Sequence, residues 1–150
     1  MVELLILIGV SIAIGCFSYV MYTMGDGYYG EDRMLISRKI LIWIFRIALG
    51  VILTLNYKTY ISPNELTLFI CGYHLMSSIF VNGTYYQLKR WLGKEYVFHF
   101  FSHSINALIR KGGFSFDPKA KSMYSYLDLY AFIRILLFVL GYLMVNYEYY

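Results

Sequence analysis

In the stretch YVFHFFSHSINALIR (96–110), His99 and His103 stand four residues apart. On a helix such a pair shares one face, so the two imidazoles could ligate a single metal ion, with Glu95 extending the stripe by one turn. The set is thin for that chemistry. A zinc site takes three or four protein ligands, and the two cysteines, Cys16 and Cys71, lie in distant apolar runs. Membrane di-iron oxygenases share the HxxxH spacing but use several such boxes, whereas this chain has three histidines in all. The competing reading makes His99 and His103 part of a polar stripe facing water, lipid headgroups or a partner.

The third histidine, His74, is the candidate haem b ligand. Haem b takes axial histidines from facing helices at matching depth. His74 falls about twelve residues from the inner end of its apolar run, at Tyr86, hence ~18 Å deep at 1.5 Å per residue. His99 and His103 belong near a surface, so a haem on His74 would need a histidine from another subunit. Two arginines also interrupt apolar runs. Arg46 and Arg134 sit about six and about seven residues inside theirs, which predicts a shared depth of ~10 Å. Both side chains lean toward their helix N-termini and can snorkel to headgroups. Together with Asn82 they would form a basic pocket for an anionic lipid such as cardiolipin. Asp128 lies nearer the surface and could pair with either arginine. The remaining candidates are weak. No CxxC provides a redox pair, AIGC before Phe17 is a poor lipobox with no basic residue ahead of it, and the sequon Asn82-Gly83-Thr84 falls at the wrong end of its helix.

The elements that hold these residues are apolar and long. The chain has 150 residues, 59% hydrophobic and 15% charged. A soluble domain is about 45–50% apolar and about 25% charged, and a chain of this size cannot hide the excess in its own core. Four segments, about 2–24, 40–56, 66–86 and 127–145, approach the ~20 residues that cross a bilayer. A spanning segment must satisfy its own backbone, so these are expected to be helices. An arginine near the centre of one costs about 2.5–3.5 kcal/mol on insertion, and each Leu, Ile, Phe or Val returns about 0.3–0.6. The run around Arg46, ILIWIFRIALGVILTL, has enough of them to offset most of the cost. Gly9, Ala13, Gly50, Gly72, Ser77, Ser78 and Gly141 are the small residues expected to let helices approach closely.

Loop charges set the orientation. Arg33, Arg38 and Lys39 lie in the connection 25–39, and seven further Lys and Arg residues lie in 87–126. The opposite side of a four-span chain would hold only Lys58. The positive-inside rule then puts both basic connections in the matrix or cytoplasm and both termini outside. Residues 95–110 form an amphipathic pattern too short to span and are expected to lie as a helix along the inner surface. Their wide apolar arc calls for a partner protein or the inner ends of the spanning helices. Ser62 or Asn64 is placed to cap the third helix, with Pro63 and Glu65 in its first turn.

The expected fold is therefore all-α and integral to a membrane, with four transmembrane helices and one amphipathic inner-surface helix between the third and fourth. Three function classes follow. One is a non-catalytic accessory subunit of a larger membrane complex, such as a respiratory or other energy-transducing one. Its partners would be other membrane subunits and anionic lipids, not nucleic acid. Another is a haem- or quinone-associated redox subunit using His74. The third is a self-assembling pore, transporter or phage membrane protein. The abundance of Ile, Tyr and Phe resembles AT-rich coding and inclines the location toward the mitochondrial inner membrane, with a bacterial inner membrane as the alternative.

Overall fold

The computed structural model describes residues 1–25, 36–92 and 129–147. The amphipathic segment 95–110, with His99 and His103, lies outside them, as do most of both basic connections. The described chain is all-helical: α1 (Val2–Gly25), α2 (Ile36–Tyr57), α3 (Pro63–Leu92) and α4 (Leu129–Val145). Three stretches are long and apolar enough to cross a membrane, Val2–Met21, Lys39–Tyr57 and Pro63–Leu88, and α4 adds a shorter apolar helix.

The boundaries show where apolar patterning and helix formation part company. α2 starts at Ile36, four residues before its apolar run, because Ser37, Arg38 and Lys39 are compatible with a helix although not with lipid. For the same reason α3 runs on to Leu92, through the polar residues after Tyr86. Its start is a capping box. Ser62 N–H donates to Glu65 Oε2 at 2.9 Å, Ile61 N–H donates to the same oxygen at 2.6 Å, and Glu65 N–H donates to Ser62 Oγ at 3.3 Å.

Consecutive helices run in opposite directions around α3, which packs against all three others. One end of the bundle carries Met1, the turn 58–62 and Tyr147, and is called here the termini end. The other, the connection end, carries the two long connections. Each neighbour meets α3 at a glycine that a larger residue could not replace. A Cβ on Gly15 of α1 would stand 2.7 Å from Thr84 Cβ and the Val81 carbonyl. One on Gly50 of α2 would stand 2.9 Å from the Ile70 carbonyl. On the α4 side Gly72 and Gly141 face each other, and a Cβ on Gly72 would stand 2.8 Å from the Gly141 carbonyl. Small residues at helix crossings supply the close packing that lipid-solvated helices depend on.

The interior of the bundle mixes apolar and polar side chains, and its exterior is apolar. Ser11, Ser18, Thr54, Ser77, Thr84 and Gln87 are buried with Leu7, Leu53, Tyr73 and Val81. Trp43, Ile44, Ile52 and Leu55 of α2 and Phe132, Leu136, Val139 and Leu143 of α4 face outward. In water this distribution would be costly, whereas in hydrocarbon it is what a multi-pass membrane protein requires. Ser18 and Thr54 satisfy their hydroxyls on their own helices, donating to the Ile14 and Gly50 carbonyls at 2.8 and 2.7 Å.

Candidate functional site

Arg46 is preceded by ten residues of α2 and followed by eleven, so it lies at the helix midpoint. It faces the midpoint of α3. Its Nε donates to Ser77 Oγ at 2.9 Å and its Nη2 donates to the His74 carbonyl at 2.8 Å. Ser77 Oγ donates to that same carbonyl at 2.7 Å, so one oxygen holds both side chains. Arg46 is 7% exposed. The His74 imidazole is half-buried, its ring centroid 6.4 Å from that of Trp43 in an edge-on arrangement. His74 Nδ1 is buried and has no hydrogen-bond partner among the described residues; the same is true of Ser11 Oγ.

Arg134 sits elsewhere. It is buried five residues after the start of α4, with its guanidinium carbon 5.2 Å from the centre of the Tyr86 ring, a cation–π geometry. Ser77 and Tyr86 are nine residues apart, about 13 Å along α3. The two arginines therefore meet α3 at different levels. Within the membrane-length stretch Lys39–Tyr57 Arg46 lies seven residues, about 10 Å, from the connection end, and Arg134 lies five residues into α4. Asn82 joins neither, because its Nδ2 donates to Ser78 Oγ one turn back on α3 at 3.1 Å. Among the described residues Arg46, Arg134 and Asn82 thus make three separate contacts. His74 is the one histidine among the described residues; His99 and His103 lie outside them.

A second polar cluster, at the termini end, was not anticipated. Tyr73 Oη donates to Glu3 Oε2 at 2.9 Å, and Lys58 Nζ lies 3.5 Å from Glu3 Oε1. Glu3 thereby ties the first turn of α1 to α3 and to the turn after α2. The cluster borders a cavity of about 240 Å³ lined by Leu4, Leu7, Met76 and Val145. Its one signal in the sequence was charge. Glu3 is the lone charge of α1 and Lys58 the lone base expected on its side.

Taken together, the apolar exterior and the three membrane-length helices are compatible with an all-α, multi-pass membrane protein. No family model, curated protein or solved structure matches the chain.

Proposed function

We propose that this chain is a four-span, non-catalytic subunit of a larger membrane complex. The observation that carries the reading is the use made of the interior polar groups. Arg46, Ser77, Tyr73, Glu3 and Lys58 are engaged in ties between helices or between a helix and a turn, the work of a scaffold. The outward faces of α2 and α4 offer broad apolar surface with Trp43, Phe132 and Tyr142, residue types that recur at interfaces. The basic connections support an orientation with loops 25–39 and 87–126 in the matrix or cytoplasm and both termini outside. An inner-surface helix over 95–110 would then lie between the third and fourth spans. Arg134, near that end, is the residue best placed for an inner-leaflet anionic lipid such as cardiolipin. The amino-acid bias favours an energy-transducing complex of the mitochondrial inner membrane, with a bacterial inner membrane as the second setting.

The test is the native mass of the endogenous protein in a mild detergent. A mass far above the 17.6 kDa monomer, with other proteins co-migrating, is the expected result. A monomer or homo-oligomer would overturn it in favour of a pore or transporter. A second reading, haem ligation through His74, is decided by a visible absorption spectrum of the purified protein.

A further inference from the structure

The cavity at the termini end has two kinds of wall. Its floor is formed by Leu7, Tyr73, Met76 and Val145, from α1, α3 and α4, each no more than 3% exposed. Its rim carries Glu3 and the exposed Tyr142 and Asn146. The one polar group of the floor side chains, the Tyr73 hydroxyl, is engaged with Glu3. At about 240 Å³ the cavity is several times the ~30 Å³ share of one water, and packed interiors keep few voids larger than a water. Apolar cavities stay dry and take up hydrocarbon instead. The level of the site fits that occupant. The stretch Val2–Met21 begins beside Glu3, and the stretch Lys39–Tyr57 ends beside Lys58. In a membrane the Glu3–Lys58 pair therefore stands where hydrocarbon meets headgroups, with the cavity floor on the hydrocarbon side.

We propose that this cavity binds one membrane phospholipid whose zwitterionic headgroup carries a primary ammonium, the ethanolamine class. The first part of an acyl chain fills the floor, and the headgroup sits on Glu3 and Lys58. Glu3 Oε2 accepts from Tyr73 Oη, and Glu3 Oε1 faces Lys58 Nζ at 3.5 Å. A carboxylate has about four lone-pair sites, so both oxygens can accept a further N–H. The Glu3–Lys58 pair is neutral as a whole. A headgroup with one ammonium and one phosphate complements it, ammonium on Glu3 and phosphate on Lys58. A head that bears only an anion or only a cation sets a like charge against one member of the pair. Choline carries the same two charges but has no N–H to donate, so the charge-assisted hydrogen bond to Glu3 separates the two lipid classes. The proposal requires the membrane setting and not the subunit reading.

In the experiment the full-length protein, in the assembly in which it extracts, is stripped of lipid in detergent. It is then given equal amounts of phosphatidylethanolamine and phosphatidylcholine with the same acyl chains, and bound lipid is read by native mass spectrometry. Retained ethanolamine lipid should exceed choline lipid by about tenfold, the worth of one charge-assisted hydrogen bond. Glu3→Gln should bring that ratio close to unity. Leu4→Trp, which puts an indole into the cavity, should reduce retention of both lipids. Soluble phosphoethanolamine, the head without the chain, should displace neither. Equal retention by the wild-type protein, a ratio unchanged in Glu3→Gln, full retention in a folded Leu4→Trp, or displacement by soluble phosphoethanolamine would each overturn the proposal. If Leu4→Trp fails to fold, the wild-type ratio, Glu3→Gln and the soluble competitor decide. A large native mass with other proteins co-migrating leaves the subunit reading standing whatever the lipid ratio.

Discussion

α2 and α4 approach α3 from opposite sides with similar sequences and different chemistry. Each carries an arginine in its first half and a glycine toward the termini end. Each closes on Asn-Tyr, with the asparagine Nδ2 donating to the carbonyl four residues back, Asn56 to Ile52 at 2.7 Å and Asn146 to Tyr142 at 2.9 Å. The glycines meet α3 at Ile70 and Gly72, two residues and so about 200° apart around the helix. There the likeness ends. On the α2 side Arg46 reaches a serine and a carbonyl. On the α4 side Arg134 lies on an aromatic ring near the end, and contact depends on backbones meeting at Gly72 and Gly141, with Phe80 and Phe138 packing at 5.9 Å. An arginine in an apolar helix is thus not one kind of residue. What the facing helix offers decides whether it links two helices through a serine and a carbonyl or packs on a ring.

Substitutions can break the two sides separately. Gly141→Leu should have the largest effect, because the new side chain meets Gly72 and Met76. Overpacking of this kind costs about 1–3 kcal/mol or more, and the thermal melt in detergent should fall accordingly, with a cysteine pair bridging α3 and α4 no longer forming. Ser77→Ala breaks the α2 side. It strands Arg46 Nε in a buried place, at a cost of about 1–3 kcal/mol, whereas Ser78→Ala, which loses only the contact from Asn82, should cost less in the same melt. Tyr73→Phe touches neither flank and removes one hydrogen bond to Glu3. About 1 kcal/mol is expected, and Glu3→Gln should lower stability less, by an amount that shrinks as salt is raised. Gly9→Ala should have the smallest effect and the opposite sign. Nothing lies within 4 Å of a Cβ there, so helix propensity alone acts and the melt should rise by an amount worth about 0.5 kcal/mol. Loss of stability in Gly9→Ala would show that this face of α1 is packed.

The apolar runs located all four helices, and Ser62, Pro63 and Glu65 marked the start of α3 before its geometry was known. Both signals are local. Hydrophobicity reports what lipid accepts and capping reports where backbone donors need partners. The partners of Arg46 are not legible, because they depend on which residues of α3 face α2. Gly15 was passed over in favour of Gly9 and Ala13, yet Gly15 is the residue pressed against Thr84, while Gly9 and Ala13 face outward. Within a uniformly apolar helix no periodicity marks the packed face. The Tyr73–Glu3 contact joins residues 70 apart in sequence and depends on α1 running parallel to α3, which local patterns do not encode. Asn82 was grouped with the arginines by depth alone, and its own helix provided a nearer partner in Ser78.

α3 and α4 differ in length as well as in chemistry. The apolar part of α3, Pro63–Leu88, has 26 residues and extends about 39 Å, while the 17 residues of α4 extend about 25 Å. The two are clamped together at Gly72 and Gly141, so neither can slide to match the other. A bilayer of uniform thickness near 30 Å fits neither helix. It must swell or let the bundle tilt along one flank and pinch along the other, at a cost of fractions of a kcal/mol per Å of mismatch. In a bilayer the two described lengths therefore leave mismatches of opposite sign on the two sides of the Gly72–Gly141 clamp.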